Sequence, residues 1–227
     1  MEKQKKVIIF DFDGTLYSSE HKYDLLKPQV DENRRKFLPY LTDEQYKNLC
    51  KESPEWEQAV GSNKIAKTIY DMKYKYPEYL ITVDAFLQWQ YDEVYNIVLD
   101  KSQFVNTEFL KQVCEKYPTY VVSNSSFTHI KFYMDKIGVR PEWFKYIFSN
   151  SYLEYDQSKK PYYKTILDFE KGNPKDYYVF GDSKSADLEP ASELGMSTIL
   201  VKNAKDIQKQ FEESVENSVE NSKEREM

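Results

Sequence analysis

The sequence predicts an α/β protein: a parallel sheet covered by helices on both faces, a three-layer α/β/α core, interrupted by a helical insert. Three observations carry this expectation. Five short apolar runs rich in β-branched and aromatic residues read as buried strands: Val7 to Phe10, Thr119 to Val122, Tyr146 to Phe148, Tyr177 to Phe180 and Ser197 to Val201. From the second run onward, a segment able to hold a helix separates each run from the next, the alternation that builds a parallel sheet. The first run stands apart, because roughly a hundred residues follow it without a comparable strand, so something is inserted there.

Within the insert, residues 20 to about 100 are rich in Lys, Glu, Tyr and Leu at helical spacing, as in Ile65, Ile69 and Met72, or Phe86, Leu87, Gln90, Tyr91 and Val94. Pro28, Pro39, Pro54 and Pro77 punctuate these helices. Thr107 to Lys116 reads as the helix leading back into the sheet, with Thr107 as its N-cap. Helices then follow at Phe127 to Ile137, at Tyr162 to Glu170 behind Pro161, and at Ala186 to Leu194, stopped by Gly195. The expected organisation is a core of residues 1–17 and 100–205, an insert of 18–99 and a polar tail, 206–227, in which Ser214-Val215-Glu216-Asn217 recurs as Ser218-Val219-Glu220-Asn221. The tail is expected to be disordered.

Composition narrows the function. Hydrophobic residues make up 40% of the 227, enough for a buried core with a smaller companion. A net charge of −6 lacks the basic footprint of a protein that binds nucleic-acid polymers. No apolar run reaches the ~20 residues of a membrane span, and Val7 to Phe10 is too short for a signal-peptide core. Cys50 and Cys114 have neither disulfide-framework nor zinc spacing. A cytoplasmic location is expected; the oligomeric state is not legible.

The chemistry gathers where strands end. Asp11 and Asp13 follow the first run two residues apart, so an extended chain points both carboxylates the same way. Gly14 permits a tight turn, and Thr15 adds a hydroxyl beside backbone N–H groups that suit an anion. Alone, Asp-Phe-Asp-Gly is an ordinary turn. The second strand ends in Ser123-Asn124-Ser125-Ser126 at a helix start, where unpaired N–H groups favour phosphate, although an N-cap explains it equally. Lys159 and Lys160 stand just before Pro161. The fourth strand runs into Gly181-Asp182, with Asp187 five residues on. Magnesium takes hard oxygen ligands, usually one or two carboxylates, and Asp11 and Asp182 meet that need.

In order, DxDGT, a strand ending in Ser, a Lys before a helix and GDSxxxD resemble the four motifs of the haloacid dehalogenase (HAD) superfamily. The resemblance covers residues 5–17 and 100–203 and implies a Rossmann-like sheet with the first strand central and ligands at the strands' carboxyl ends. In that family the insert after the first motif is a mobile cap, and the helical segment looks like that type. By the same resemblance Asp11 forms an aspartyl-phosphate and Asp13 is the general acid/base. Mg²⁺ is held by Asp11, the Asp13 backbone carbonyl and Asp182, with Asp187 supporting the metal. Thr15, Ser123, Asn124 and Lys160 bind the phosphate, Lys160 being favoured over Lys159 because it lies nearer Pro161. The retained second aspartate marks phosphatases, so hydrolysis of a small phosphorylated metabolite, a nucleoside monophosphate or sugar phosphate, is expected. A phosphotransferase or phosphomutase of the same fold, or an inactive HAD-like binding protein, is the alternative. Asp13 to Tyr17, Ser123-Asn124, His129 and Ile137-Gly138 also resemble the branch containing pyrimidine 5′-nucleotidases, although Gly14 stands where that branch often has Asn. For His129, packing and substrate contact both remain open.

Overall fold

The computed structural model describes residues 6–18, 22–94, 104–151 and 157–216. Its centre is a five-stranded, fully parallel sheet of β1 (Val7–Phe10), β2 (Thr119–Ser123), β3 (Tyr146–Ser149), β4 (Tyr177–Gly181) and β5 (Ser197–Leu200). The spatial order is β3-β2-β1-β4-β5. Every residue of β1 is buried, as expected of a central parallel strand, which has no solvent face. Phe10 pairs with Val121 on one side and Phe180 on the other, so the carboxyl ends of β1, β2 and β4 lie at the same edge of the sheet, β2 running two residues further and β4 one. The residues that follow them emerge together.

The chain divides into two compact units, one from residues 1–19, 100–151 and 156–227 and the other mainly from 20–99. Within the second, α1 (Lys22–Asn33), α2 (Asp43–Glu52), α3 (Pro54–Gln58), α4 (Ser62–Lys75) and α5 (Asp84–Trp89) enclose a core of their own. Thr42 and Gln45 form a reciprocal capping box at the start of α2. Trp56 is wholly buried, and Arg34 is pinned beneath it, donating to the carbonyls of Trp56 and Ala59 and pairing with Asp31. The predicted face of Ile65, Ile69 and Met72 is buried as expected. Phe86 and Gln90 are buried, whereas Leu87 and Tyr91 turn outward. Pro28, expected to punctuate, lies inside α1.

In the sheet-bearing unit, the segment that closes the first turn meets the returning chain: Val105 N–H donates to the Leu16 carbonyl and Tyr17 forms an isolated bridge with Phe104. Helix α6 (Thr107–Lys116) is capped by Asn106, whose side chain accepts from Glu108 and Phe109 N–H. The cap was expected one residue later, at Thr107, but the amide oxygen reaches two orphan donors. Helix α7 (Phe127–Ile137) begins at the cap Ser126 and ends at Gly138. Helix α8 (Lys160–Glu170) follows Lys159, and a π-helical turn, Lys184–Leu188, leads into α9 (Glu189–Ser192).

The expectation of a disordered tail from residue 206 is overturned as far as residue 216. Helix α10 (Ile207–Phe211) continues into a π-helical turn, Glu212–Glu216. Ile207, Phe211 and Val215 are buried, and the Phe211 ring packs on Phe109, Tyr117 and Phe180 at 5.4, 5.7 and 6.1 Å. These three residues recur every four positions, so one helical face is apolar although the segment's average is polar. Residues 217–227 lie outside the described residues.

Candidate active site

Asp11 leaves the end of β1 with its N–H donating to the Phe180 carbonyl, and only 5% of its surface is exposed. Lys159, itself 3% exposed, places its ammonium 2.6 Å from Asp11 Oδ1 and 2.5 Å from Asp187 Oδ1. Burial pulls the lysine's pKa down, but the Asp11 and Asp187 carboxylates outweigh it and hold the ammonium charged, above the ordinary lysine value. Burial pushes Asp11 upward against the pull of Lys159. Burial, reinforced by Asp187, raises Asp182 to about 6.

Asp11, Asp182 and Asp187 can each offer an oxygen within 4.8 Å of the others. Three carboxylates around one ammonium leave an excess of negative charge that hard-oxygen coordination of a divalent cation would offset. The backbone is built to permit this convergence. Gly14 has φ +85°, and a Cβ there would lie 2.1 Å from Asp182 Oδ2. A Cβ on Gly181 would lie 2.4 Å from that of Asp187. Both glycines therefore make room for carboxylates. The donor set fits magnesium.

Asp13 is handled differently. Its Oδ2 accepts from Ser125 Oγ at 2.5 Å, and its Oδ1 lies 3.0 Å from His129 Nε2. The buried imidazole is seated edge-on to Phe12 and against Tyr133, with centroids 6.4 and 4.8 Å away. Neighbouring carboxylates thus face different partners, one the acidic cluster and one a hydroxyl and a histidine. Thr15 Oγ1 stands 3.4 Å from Asp11 Oδ2. Ser123 is buried at the end of β2, its Oγ accepting from Ser125 N–H, and Asn124 Oδ1 accepts from Asn150 Nδ2.

One expectation is corrected. Lys160 does not join the cluster; it is exposed and pairs with Glu193 at 2.6 Å. Lys159 occupies the site instead. The signal was present in the helical period, since Lys159, the residue before α8, stands one turn ahead of Tyr163 and in line with the buried Tyr163 and Ile166, whereas Lys160 and Lys164 face solvent. Distance from Pro161 was the wrong criterion. Ser125 was not singled out for a role of its own, yet it sits one turn before His129, so both reach the same carboxylate.

A family model described as haloacid dehalogenase-like hydrolase matches residues 5–195. The chain belongs to that family. Among solved structures, this HAD-like hydrolase is similar to a predicted phosphoglycolate phosphatase from Haemophilus somnus, with 21% identity over 88% of this chain and 86% of that one and a TM-score of 0.54. It is also similar to a HAD-family enzyme from Bacteroides thetaiotaomicron in complex with magnesium (18% identity, 92% and 99% coverage, TM-score 0.52). A HAD phosphatase from Thermococcus onnurineus gives 17% identity, 91% and 97% coverage and a TM-score of 0.51. At such identities the likeness concerns the fold. No curated protein matches the chain. Among the described residues, no helix is long and apolar enough to cross a membrane.

Proposed function

We propose that this HAD-like hydrolase is a magnesium-dependent phosphomonoesterase acting on a small phosphorylated metabolite. The observation that carries the proposal is the division of labour between two carboxylates on one strand end: Asp11 sits beside Lys159, while Asp13 is oriented by Ser125 and His129. Carboxylates set in contrasting environments serve as nucleophile and acid/base.

Asp11 attacks phosphorus as the ester P–O bond breaks, and Asp13 gives its proton to the departing oxygen. Water then attacks the aspartyl-phosphate, Asp13 takes the water's proton, and inorganic phosphate leaves with Asp11 restored. Lys159 supplies positive charge beside the transferred group, and the Ser123 hydroxyl and Asn124 line the turn that would receive its oxygens. Asp11, Asp182 and the Asp13 carbonyl would hold magnesium, with Asp187 in support; when bound, the ion neutralises phosphate charge. The inserted helical unit would act as the cap that selects the substrate. The magnesium complex of the Bacteroides thetaiotaomicron enzyme and the phosphatase name of the Thermococcus onnurineus protein agree with this proposal. Two free cysteines suit a cytoplasmic setting.

The test is hydrolysis of p-nitrophenyl phosphate and of a panel of nucleoside monophosphates and sugar phosphates with Mg²⁺. Turnover of at least one panel member is expected, with Asp11→Asn folded but inactive. No turnover by the wild type, or an active Asp11→Asn variant, overturns the proposal.

A further inference from the structure

Asn150, the first residue beyond β3, is only 3% exposed and hydrogen-bonds to three residues on two separate segments. Its backbone N–H donates to the Ser125 carbonyl at 3.2 Å, its Nδ2 donates to Asn124 Oδ1 at 3.0 Å, and its Oδ1 accepts from the Tyr162 hydroxyl. Two of these contacts fall on the turn between Ser123 and the α7 cap. Within that turn Ser125 carries the hydroxyl that holds Asp13. The third reaches the first turn of α8, where Tyr162 N–H donates to the Lys159 carbonyl at 3.0 Å. Asn150 therefore ties the segment that orients Asp13 to the segment that delivers Lys159 to Asp11.

We infer that Asn150 is a positioning residue of the hydrolytic site, setting the Ser123–Ser126 turn and the start of α8 in register; this rests on the proposed phosphatase activity. Only a carboxamide suits the position. It must donate towards Asn124 and accept from Tyr162 at once, and a carboxylate of the same shape loses the donor and sets oxygen against oxygen. The hydrogen bonds just described run to the Ser123–Ser126 turn and to α8, whereas Asp11, Asp182 and Asp187 lie on the segments that follow β1 and β4. Its removal should leave Mg²⁺ binding alone while loosening the groups that meet the phosphate and the leaving oxygen. Displacement of such groups by about 1 Å costs on the order of a hundredfold in rate.

The experiment compares Asn150→Asp, Asn150→Ala and Tyr162→Phe with the wild type, measuring kcat, KM, Mg²⁺ affinity by calorimetry and thermal melting. Tyr162→Phe removes one hydroxyl and keeps the ring, so it remains informative if the Asn150 variants fold poorly. The expected result is a fall in kcat of about 10- to 100-fold for the Asn150 variants and about 3- to 10-fold for Tyr162→Phe, with Mg²⁺ affinity within twofold. Combining Asn124→Ala with Asn150→Ala should cost less than the product of the two single losses, because one acts through the other. Variants within twofold of an active wild type, or losses that merely track the unfolded fraction or weakened Mg²⁺ binding, overturn the inference alone. An inactive wild type overturns the proposed function and this inference with it.

Discussion

Lys159 and Lys160 are adjacent and chemically identical, yet one is buried between two carboxylates and the other waves in solvent beside Glu193. Replacing Lys159 with Met removes the charge next to the attacking oxygen and leaves Asp11 and Asp187 facing each other. A loss of kcat of about 100-fold or more is expected, whereas Lys160→Met should stay within about threefold. Equal losses in steady-state assays would show that neither position is special. Asp182 adds a pH dependence. Its carboxyl is raised to about 6 in the folded chain. Below that value a proton competes with the metal, so Mg²⁺ affinity measured by calorimetry should be about tenfold weaker at pH 5 than at pH 7. For the metal-free fold the sign is opposite: a raised acid stabilises the folded state at low pH, and that contribution fades as pH climbs towards 6. Affinity independent of pH across this range would exclude Asp182 as a ligand.

Among the elements, α10 most changes the picture of the chain. Ile207, Phe211 and Val215 are buried, and Phe211 stacks near Phe180 of β4, one residue before the site glycine Gly181. Phe211→Ala should therefore cost about 3–5 kcal/mol in urea unfolding, as a large buried ring leaves a cavity. A change below about 1 kcal/mol would mean that the segment is dispensable. The same apolar face explains why this helix was misjudged from the sequence: three residues in a strongly charged stretch are invisible to average composition and plain to a four-residue period. The same holds at α8, where Lys159, the residue before the helix, stands one turn ahead of the buried Tyr163. The strands were legible because buried parallel strands are short, apolar and uninterrupted, and all five lie within a residue of where the sequence places them.

At the scale of the whole molecule, two units each possess a core, one around the sheet and one around Trp56, Ile69 and Phe86. A ligand stabilises chiefly the cooperative unit that binds it. Mg²⁺ should accordingly slow hydrogen exchange in β1, β4 and the turns that follow them, leaving the amides of α4 unchanged. Protection centred on α4 instead would move the metal site to the insert.

The sequence by itself determined the class of fold, the insertion after the first strand and the order of the four carboxylates along the chain. These follow from local patterns, namely apolar runs, turn residues and spacing, that need no knowledge of neighbours. Only the tertiary structure decided which lysine meets Asp11, that Ser125 and His129 share Asp13, and that Asn150 joins two distant turns. Such partnerships span from 12 to 148 residues. They depend on parallel strands ending at one edge of the sheet, which brings together groups whose separation along the chain carries no trace of their contact.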